Sequence, residues 1–218
     1  MAASQNNINI NLAGKRVVIL ADGTFPVHHL PLSALEEAEF IVCCDGAAGA
    51  LAAWGIDPGV IIGDLDSVDN VMAERYADRL LRDTDQETND LTKAVRWSVK
   101  AGAVAVTIVG ATGKREDHTL GNISLLADYG KTLNVKMLTD TGTIWPVYES
   151  CSFKTIPGQR VSVFSPGGKV RLTATGLEYP VNDLLLDNWW KATLNTATGH
   201  LVTLSFKPAP LVIYLGYR

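Results

Sequence analysis

Four aspartates follow aliphatic runs in the first half of the chain. Asp22 follows VVILA, Asp45 follows FIVCC, and Asp64 and Asp66 follow VII within GDLDS at 63–67. If those runs are parallel strands, their carboxyl ends open on one edge of a sheet, where ligands of such sheets bind. Any one of these aspartates could equally be a turn residue or a helix N-cap; four of them, one pair spaced as DxD, invite a chemical reading. Residues two apart in extended chain point the same way, so Asp64 and Asp66 would repel unless a cation lay between them. Mg²⁺ takes oxygen ligands and combines one or two carboxylates with phosphate oxygens. The acidic group could therefore anchor a metal–nucleotide.

Two further stretches could share that work. DQETNDLTK at 85–93 puts Asp90 in the first turn of a helix and Lys93 one turn on. A plain helix start accounts for both, with an acid at the positive end of the dipole and a solvated lysine. The chemical reading makes Asp90 a metal ligand or base, Lys93 a phosphate partner, and Gln86 a donor to phosphate or nucleobase. In VGATGKREDHTLGN at 109–122, glycines let backbone N–H groups approach an anion ahead of a helix N-terminus. Arg115 can grip phosphate with two parallel bonds, and Asp117 can cap the helix or orient Arg115. His118 alone reads as a structural histidine, and the Walker A spacing is absent. His28, His29 and His200 form no metal-ligand pattern.

The elements that must position these groups alternate in type over the first two thirds of the chain. RVVILA at 16–21, FIVCC at 40–44, VIIG at 60–63, VAVTIVG at 104–110 and NVKML at 134–138 read as strands. AAGALAAW at 47–54, NVMAERYADRLLR at 70–82, NDLTKAVRWSVKAG at 89–102 and LGNISLLADYG at 120–130 read as helices. Asn89 is the expected N-cap of the third helix, Gly102 its stop, and Leu91, Val95 and Val99 its apolar stripe. Alternating strands and helices predict an α/β domain with a mostly parallel sheet flanked by helices, over about residues 1–145. After that the helical period vanishes. RVSVFS, KVRLTAT, HLVTLSF and LVIYLG, separated by Gly and Pro turns, predict a small C-terminal all-β sandwich or barrel over 146–218.

Composition narrows the function classes. The 218 residues are 47% hydrophobic and 19% charged, enough for a substantial core, with a net charge of −4 and a pI near 5.5. Acidic residues outnumber basic ones over 1–145, and the balance reverses over 146–218. A basic nucleic-acid-binding surface is not expected. No apolar run approaches the roughly 18 residues of a membrane helix. MAASQNNININ reads as a polar extension rather than a signal peptide. Cys43, Cys44 and Cys151 read as reduced thiols of a cytoplasmic protein.

The ordered set DGA at 45–47, GDLDS, DQETNDLTK and GATGKREDHTLGN at 110–122 resembles the thiamin pyrophosphokinase family. TGLEYPVND at 175–183 and ATLN at 192–195 are similar to that family's C-terminal segments, so the likeness covers about residues 16–215. The resemblance implies an ATP-binding α/β domain and a thiamin-binding β-domain, associated as a homodimer. It implies Mg²⁺-dependent transfer of a pyrophosphoryl group from ATP to the hydroxyl of thiamin, releasing AMP. It places Asp45, Asp64, Asp66 and Asp90 at the metal positions, with Asp66 and Asp90 also the catalytic acids. Gln86, Lys93, Arg115, Asp117 and His118 fall on the nucleotide side, and Tyr179, Thr193 and Asn195 on the thiamin side. Where the family often carries Ser-Thr-Ser-Asn, this chain has Ala192, Thr193, Leu194 and Asn195; Tyr179 stands where relatives carry Trp. Trp189 and Trp190 are further contact candidates, although adjacent tryptophans commonly pack an interface. The residues alone also allow a pyrophosphokinase for another alcohol such as a pterin, a non-catalytic nucleotide or thiamin sensor, or a metal-dependent phosphate-ester hydrolase.

Overall fold

The computed structural model describes residue 8 and residues 10–218. The polar extension expected at the start of the chain falls mostly outside the described residues. The chain divides into two compact units: one runs to Asn122 and resumes over Thr132–Asp140, and the other comprises Ile123–Lys131 and Thr141–Arg218.

In the first unit the elements alternate as β1 (Val17–Leu20), α1 (His29–Glu36), β2 (Phe40–Cys44), α2 (Ala48–Ala53), β3 (Val60–Gly63), α3 (Asn70–Arg75), β4 (Leu80–Arg82), α4 (Asp90–Lys100), β5 (Ala105–Val109), the start of α5 (Glu116–Tyr129) and β6 (Asn134–Leu138). All strand pairs of this unit are parallel, in the order β6-β5-β1-β2-β3-β4. Such strands are covered on both faces and read as continuous aliphatic runs; β1, β3 and most of β2 are buried throughout. Val18, Leu20, Ile41, Cys43, Leu51 and Ile61 form the centre of one core cluster. Strand order reverses at β1, which lies between β2 and β5. Such a switch point leaves a crevice outside the strand carboxyl ends.

Local signals placed most of these elements. Asn89 caps α4 by accepting from the Thr92 N–H at 2.9 Å, and Gly102 turns the chain with φ +94°. The expected helix over 70–82 is corrected: it ends after Arg75, and Leu80–Arg82 form an edge strand paired with Ile61, Ile62 and Gly63. Tyr76 is buried with its hydroxyl donating to Asp57 at 2.6 Å, which closes the helix and turns the chain back to the sheet. In α4 the buried face is Leu91, Thr92, Lys93, Ala94, Val95 and Ser98 rather than a stripe ending at Val99, which is 36% exposed. Helix α1 has no clear apolar period and goes unread in the sequence.

The second unit carries two antiparallel four-stranded sheets. β7 (Gly142–Val147), β9 (Arg160–Phe164), β12 (Asn195–Thr196) and β14 (Leu211–Gly216) pair in the order β12-β9-β14-β7. β8 (Cys151–Lys154), β10 (Val170–Thr175), β11 (Val181–Leu186) and β13 (Leu201–Phe206) pair in the order β11-β10-β13-β8. Val161, Val163 and Ile213 of the first sheet share one core with Leu172, Val202 and Leu204 of the second, the packing of a β-sandwich. Cys43 and Cys44 are buried free thiols, and Cys151 is a half-buried one. Among the described residues no helix is long and apolar enough to cross a membrane.

Candidate active site

The strand ends of the first unit gather the acidic group. At the end of β2, Asp45 is only 4% exposed. Its Oδ1 accepts from the Gly46 N–H at 2.7 Å and its Oδ2 from the Leu65 N–H at 3.1 Å. Burial, reinforced by the negative charge of Asp90, pushes its pKa up to about 6 despite those two bonds. At the end of β3, Leu65 adopts φ +67°, a left-handed conformation that a branched side chain rarely takes. That turn carries Asp64 and Asp66 toward Asp45, and carboxylate oxygens of all three lie within 4.8 Å of one another. A methyl group at Gly63 would meet the Asp45 carboxyl carbon at 2.7 Å, so the close approach requires glycine there.

Cations and donors surround this group. Lys93 is buried on α4, and its Nζ donates to Asp90 Oδ1 at 2.9 Å. Burial works against its charge, but the Asp90 hydrogen bond and the charges of Asp90 and Asp64 outweigh it and hold its pKa up. Asp64 is held below the usual carboxylate range, first by the Asp66 backbone N–H and further by Lys93 and a hydrogen bond from Gln86. Arg115 Nε donates to Asp117 Oδ1 at 3.1 Å, and the His118 N–H donates to the same oxygen at 2.9 Å. The Arg115 bond, followed by the His118 N–H, pulls the Asp117 pKa down to about 2.

Asp45, Asp64, Gln86, Asp90, Lys93, Arg115 and His118 line one cleft of about 430 Å³, and every residue lining it belongs to the first unit. Asp66 sits with the acidic group, and Asp117 stands behind Arg115. The arrangement suits an anionic ligand held through a divalent cation: hard carboxylate oxygens on one side, fixed cations on the other. The three-carboxylate group fits Mg²⁺ on its donor chemistry, and the raised Asp45 pKa marks a carboxylate whose charge the protein leaves largely uncompensated.

The remaining expected residues lie in the second unit. The Asn195 side chain is buried and clamps Tyr179, accepting from its N–H at 3.0 Å and donating to its carbonyl at 2.8 Å. The Thr193 hydroxyl donates to the Trp190 carbonyl. Tyr179, Trp190 and Leu194 are more than half exposed, while Ala192 and Leu194 both take positive φ. Asn195 and Thr193 thus hold the segment's shape, and Tyr179 is the group that it presents.

Two site residues went unread in the sequence. Asp85 accepts from the Glu87 N–H, the Thr88 hydroxyl and Arg96, folding the loop that carries Gln86 into the cleft. Buried Asn122 accepts from Asn89 at 3.1 Å and donates to the Ala111 carbonyl at 2.9 Å, tying the start of α4 to the loop after β5. The Asp-x-x-Thr spacing at 85–88 is a signal for the first; nothing local marks the second.

Residues 32–138 match the family model described as thiamin pyrophosphokinase, catalytic domain, and residues 142–213 match that described as thiamin pyrophosphokinase, substrate-binding domain. A thiamine pyrophosphokinase of Bacillus subtilis is 31% identical over 138 residues, which are 59% of this chain and 64% of that protein. Thiamine pyrophosphokinase 1 of Oryza sativa subsp. japonica is 27% identical over 68% of this chain and 67% of its own length. The crystal structure of the Bacillus subtilis protein superposes with a TM-score of 0.78 at 23% identity, over 93% of this chain and 99% of that one. The yeast thiamin pyrophosphokinase structure superposes with a TM-score of 0.77 at 16% identity, over 100% of this chain and 95% of that one.

Proposed function

The chain belongs to the thiamin pyrophosphokinase family, and we propose that it transfers the pyrophosphoryl group of ATP to the hydroxyl of thiamin, giving thiamin diphosphate and AMP. The observation that carries this reading is the meeting of Asp45, Asp64 and Asp66, the first two of which line a cleft that also holds Lys93 and Arg115. Phosphoryl transfer asks a protein mainly for positioning and for neutralisation of charge. Asp45, Asp64 and Asp66, with Asp90 beside them, would hold Mg²⁺, which supplies charge neutralisation to the phosphate oxygens when bound.

The rest is work for the chain itself. Gln86, Lys93, Arg115 and His118 face the nucleotide. Arg115 is kept in place by Asp117 and offsets the charge that grows on the AMP phosphate as it leaves. Thiamin's hydroxyl oxygen forms the new bond to the β-phosphorus. The bond from that phosphorus to the oxygen bridging to the α-phosphate breaks, and its electrons leave with AMP. The hydroxyl proton passes to a carboxylate. Asp90 is already committed to the Lys93 ammonium, so Asp66, at the exposed rim of the acidic group, is the better placed acceptor. Tyr179, fixed by Asn195, offers an aromatic face to the pyrimidine of thiamin, and Thr193 shapes the same segment. The same reading carries a cytoplasmic homodimer, in which the exposed Trp189 and Trp190 would be covered.

Incubation with ATP, Mg²⁺ and thiamin tests the proposal: AMP and thiamin diphosphate should form in equal amounts, with no ADP. Asp64→Asn should lower turnover at least a hundredfold at saturating Mg²⁺. Turnover with a pterin alcohol but not thiamin would reassign the acceptor. Binding of both ligands without AMP release would make the protein a sensor.

A further inference from the structure

We propose that Lys114 binds the polyphosphate tail of the nucleotide, and that Asp22 is the partner it leaves to do so; this rests on the reading of the cleft as an ATP site. Lys114 and Asp22 lie in the loops after β5 and β1, the pair of strands at which the sheet order reverses. Those loops are zipped together. The Gly23 N–H donates to the Gly110 carbonyl at 2.6 Å, and the Thr24 N–H donates to the Thr112 carbonyl at 2.8 Å. A methyl group at Gly23 would meet the Thr112 carbonyl oxygen at 2.5 Å, so the backbones touch with no room for a side chain between them. This frame sets the Lys114 ammonium 2.7 Å from Asp22 Oδ1, across the mouth of the crevice. Both residues line the cleft.

Three observations turn this pair from a surface contact into a binding device. It is exposed, with side chains 55% and 43% accessible, so it adds little to stability and exchanges readily. It lies beside the acidic group: a methyl group at Gly46, the neighbour of Asp45, would meet Asp22 Oδ2 at 2.5 Å. Lys93 and Arg115 take their carboxylate partners from two or three residues away, Asp90 on α4 and Asp117 at the start of α5, whereas Lys114 reaches across to the loop of another strand. Lys114 is a charge on a flexible stem whose present partner stands where phosphates held at the acidic group would arrive. A polyphosphate carries more charge than one carboxylate, so the ammonium turns to it. Asp22 is then left facing an anion, which opposes binding.

The test compares α,β-methylene ATP with Mg²⁺, whose scissile bridge cannot be cleaved, against AMP, by calorimetric titration of the full chain. Lys114→Met should weaken the ATP analogue at least tenfold and AMP by less than twofold, with an unchanged thermal midpoint. Lys114→Arg should keep most of the affinity. Asp22→Asn should tighten the analogue severalfold, and the gain should shrink but persist when Lys114→Met is added, because the competition for the ammonium is then gone while the repulsion by the Asp22 charge is still relieved. In turnover, the rise in ATP KM for Lys114→Met should exceed its change in kcat. Analogue affinity within twofold of wild type in Lys114→Met, equal losses for the analogue and AMP, or weaker binding in Asp22→Asn would overturn the proposal. Failure of the unmutated protein to bind the analogue at all would instead overturn the nucleotide reading of the cleft.

Discussion

Asp45→Asn should make the metal-free protein more stable while abolishing its turnover. The carboxyl is nearly inaccessible, and its pKa is pushed from 3.8 to about 6, chiefly by burial. The folded state therefore binds more protons than the unfolded chain between about pH 4 and pH 6. By linkage, stability falls as pH rises through that window. At pH 7 the penalty for the buried charge is about 3 kcal/mol, from roughly two pH units at 1.36 kcal/mol each. Asparagine keeps one acceptor oxygen for the Gly46 N–H but turns an N–H₂ toward the Leu65 N–H, at a cost of about 1 kcal/mol. The net gain is about 2 kcal/mol, which for a chain of this size is a rise in melting temperature of about 4–8 °C. Calorimetric melting in EDTA at pH 7 and pH 4 reads it directly. The gain should be present at pH 7 and disappear or reverse at pH 4, where the native carboxyl is already neutral. Added Mg²⁺ should stabilise the unmutated protein and leave the variant almost unmoved. A variant that melts lower than the parent at pH 7 without metal would refute the reasoning, because the two backbone hydrogen bonds would then outweigh the desolvated charge.

Gly63→Ala should displace the Asp45 carboxyl that a methyl would strike at 2.7 Å; we expect at least a tenfold loss of Mg²⁺ affinity by titration, with far-ultraviolet circular dichroism unchanged. Lys93→Met removes the buried partner of Asp90 and should destabilise the protein by about 1–2 kcal/mol in urea melts, below the range for a fully buried pair because the Asp90 side chain is 36% exposed; turnover should fall at least a hundredfold. Tyr179→Ala should raise the KM for thiamin about tenfold with little change in melting temperature, since the ring is exposed. Asn195→Ala should raise the same KM and also cost about 1–2 kcal/mol, since it removes both hydrogen bonds that the buried Asn195 side chain makes to the Tyr179 backbone; equal melting temperatures for the two variants would exclude the clamp.

Most of this architecture was legible in the residue order, and the reason differs from element to element. Alternation of aliphatic runs with helical stretches predicts the parallel sheet, because strands covered on both faces need unbroken apolar segments. Gly- and Pro-punctuated Val/Leu/Thr runs predict the β-sandwich. Asn89 announces its helix because capping is a three-residue interaction, and the Asp64–Asp66 spacing announces two carboxylates sharing one turn because residues two apart point the same way. What stayed hidden depends on groups far apart along the chain. Leu80 and Leu81 sit in a stretch with a helical period, yet they pair with Ile61 and Ile62, because an open edge of the sheet offers more burial and hydrogen bonding than another turn of helix. Lys93 looks like a surface lysine until packing of α4 buries it against Asp90. Asn122 finds Asn89 and Ala111, Asn195 finds Tyr179, and Lys114 finds Asp22, each across a separation that no local pattern encodes. Spacing along the backbone decides which side chains can share a turn or a strand face. Burial and hydrogen-bond demand, summed over the whole fold, decide which distant ones meet.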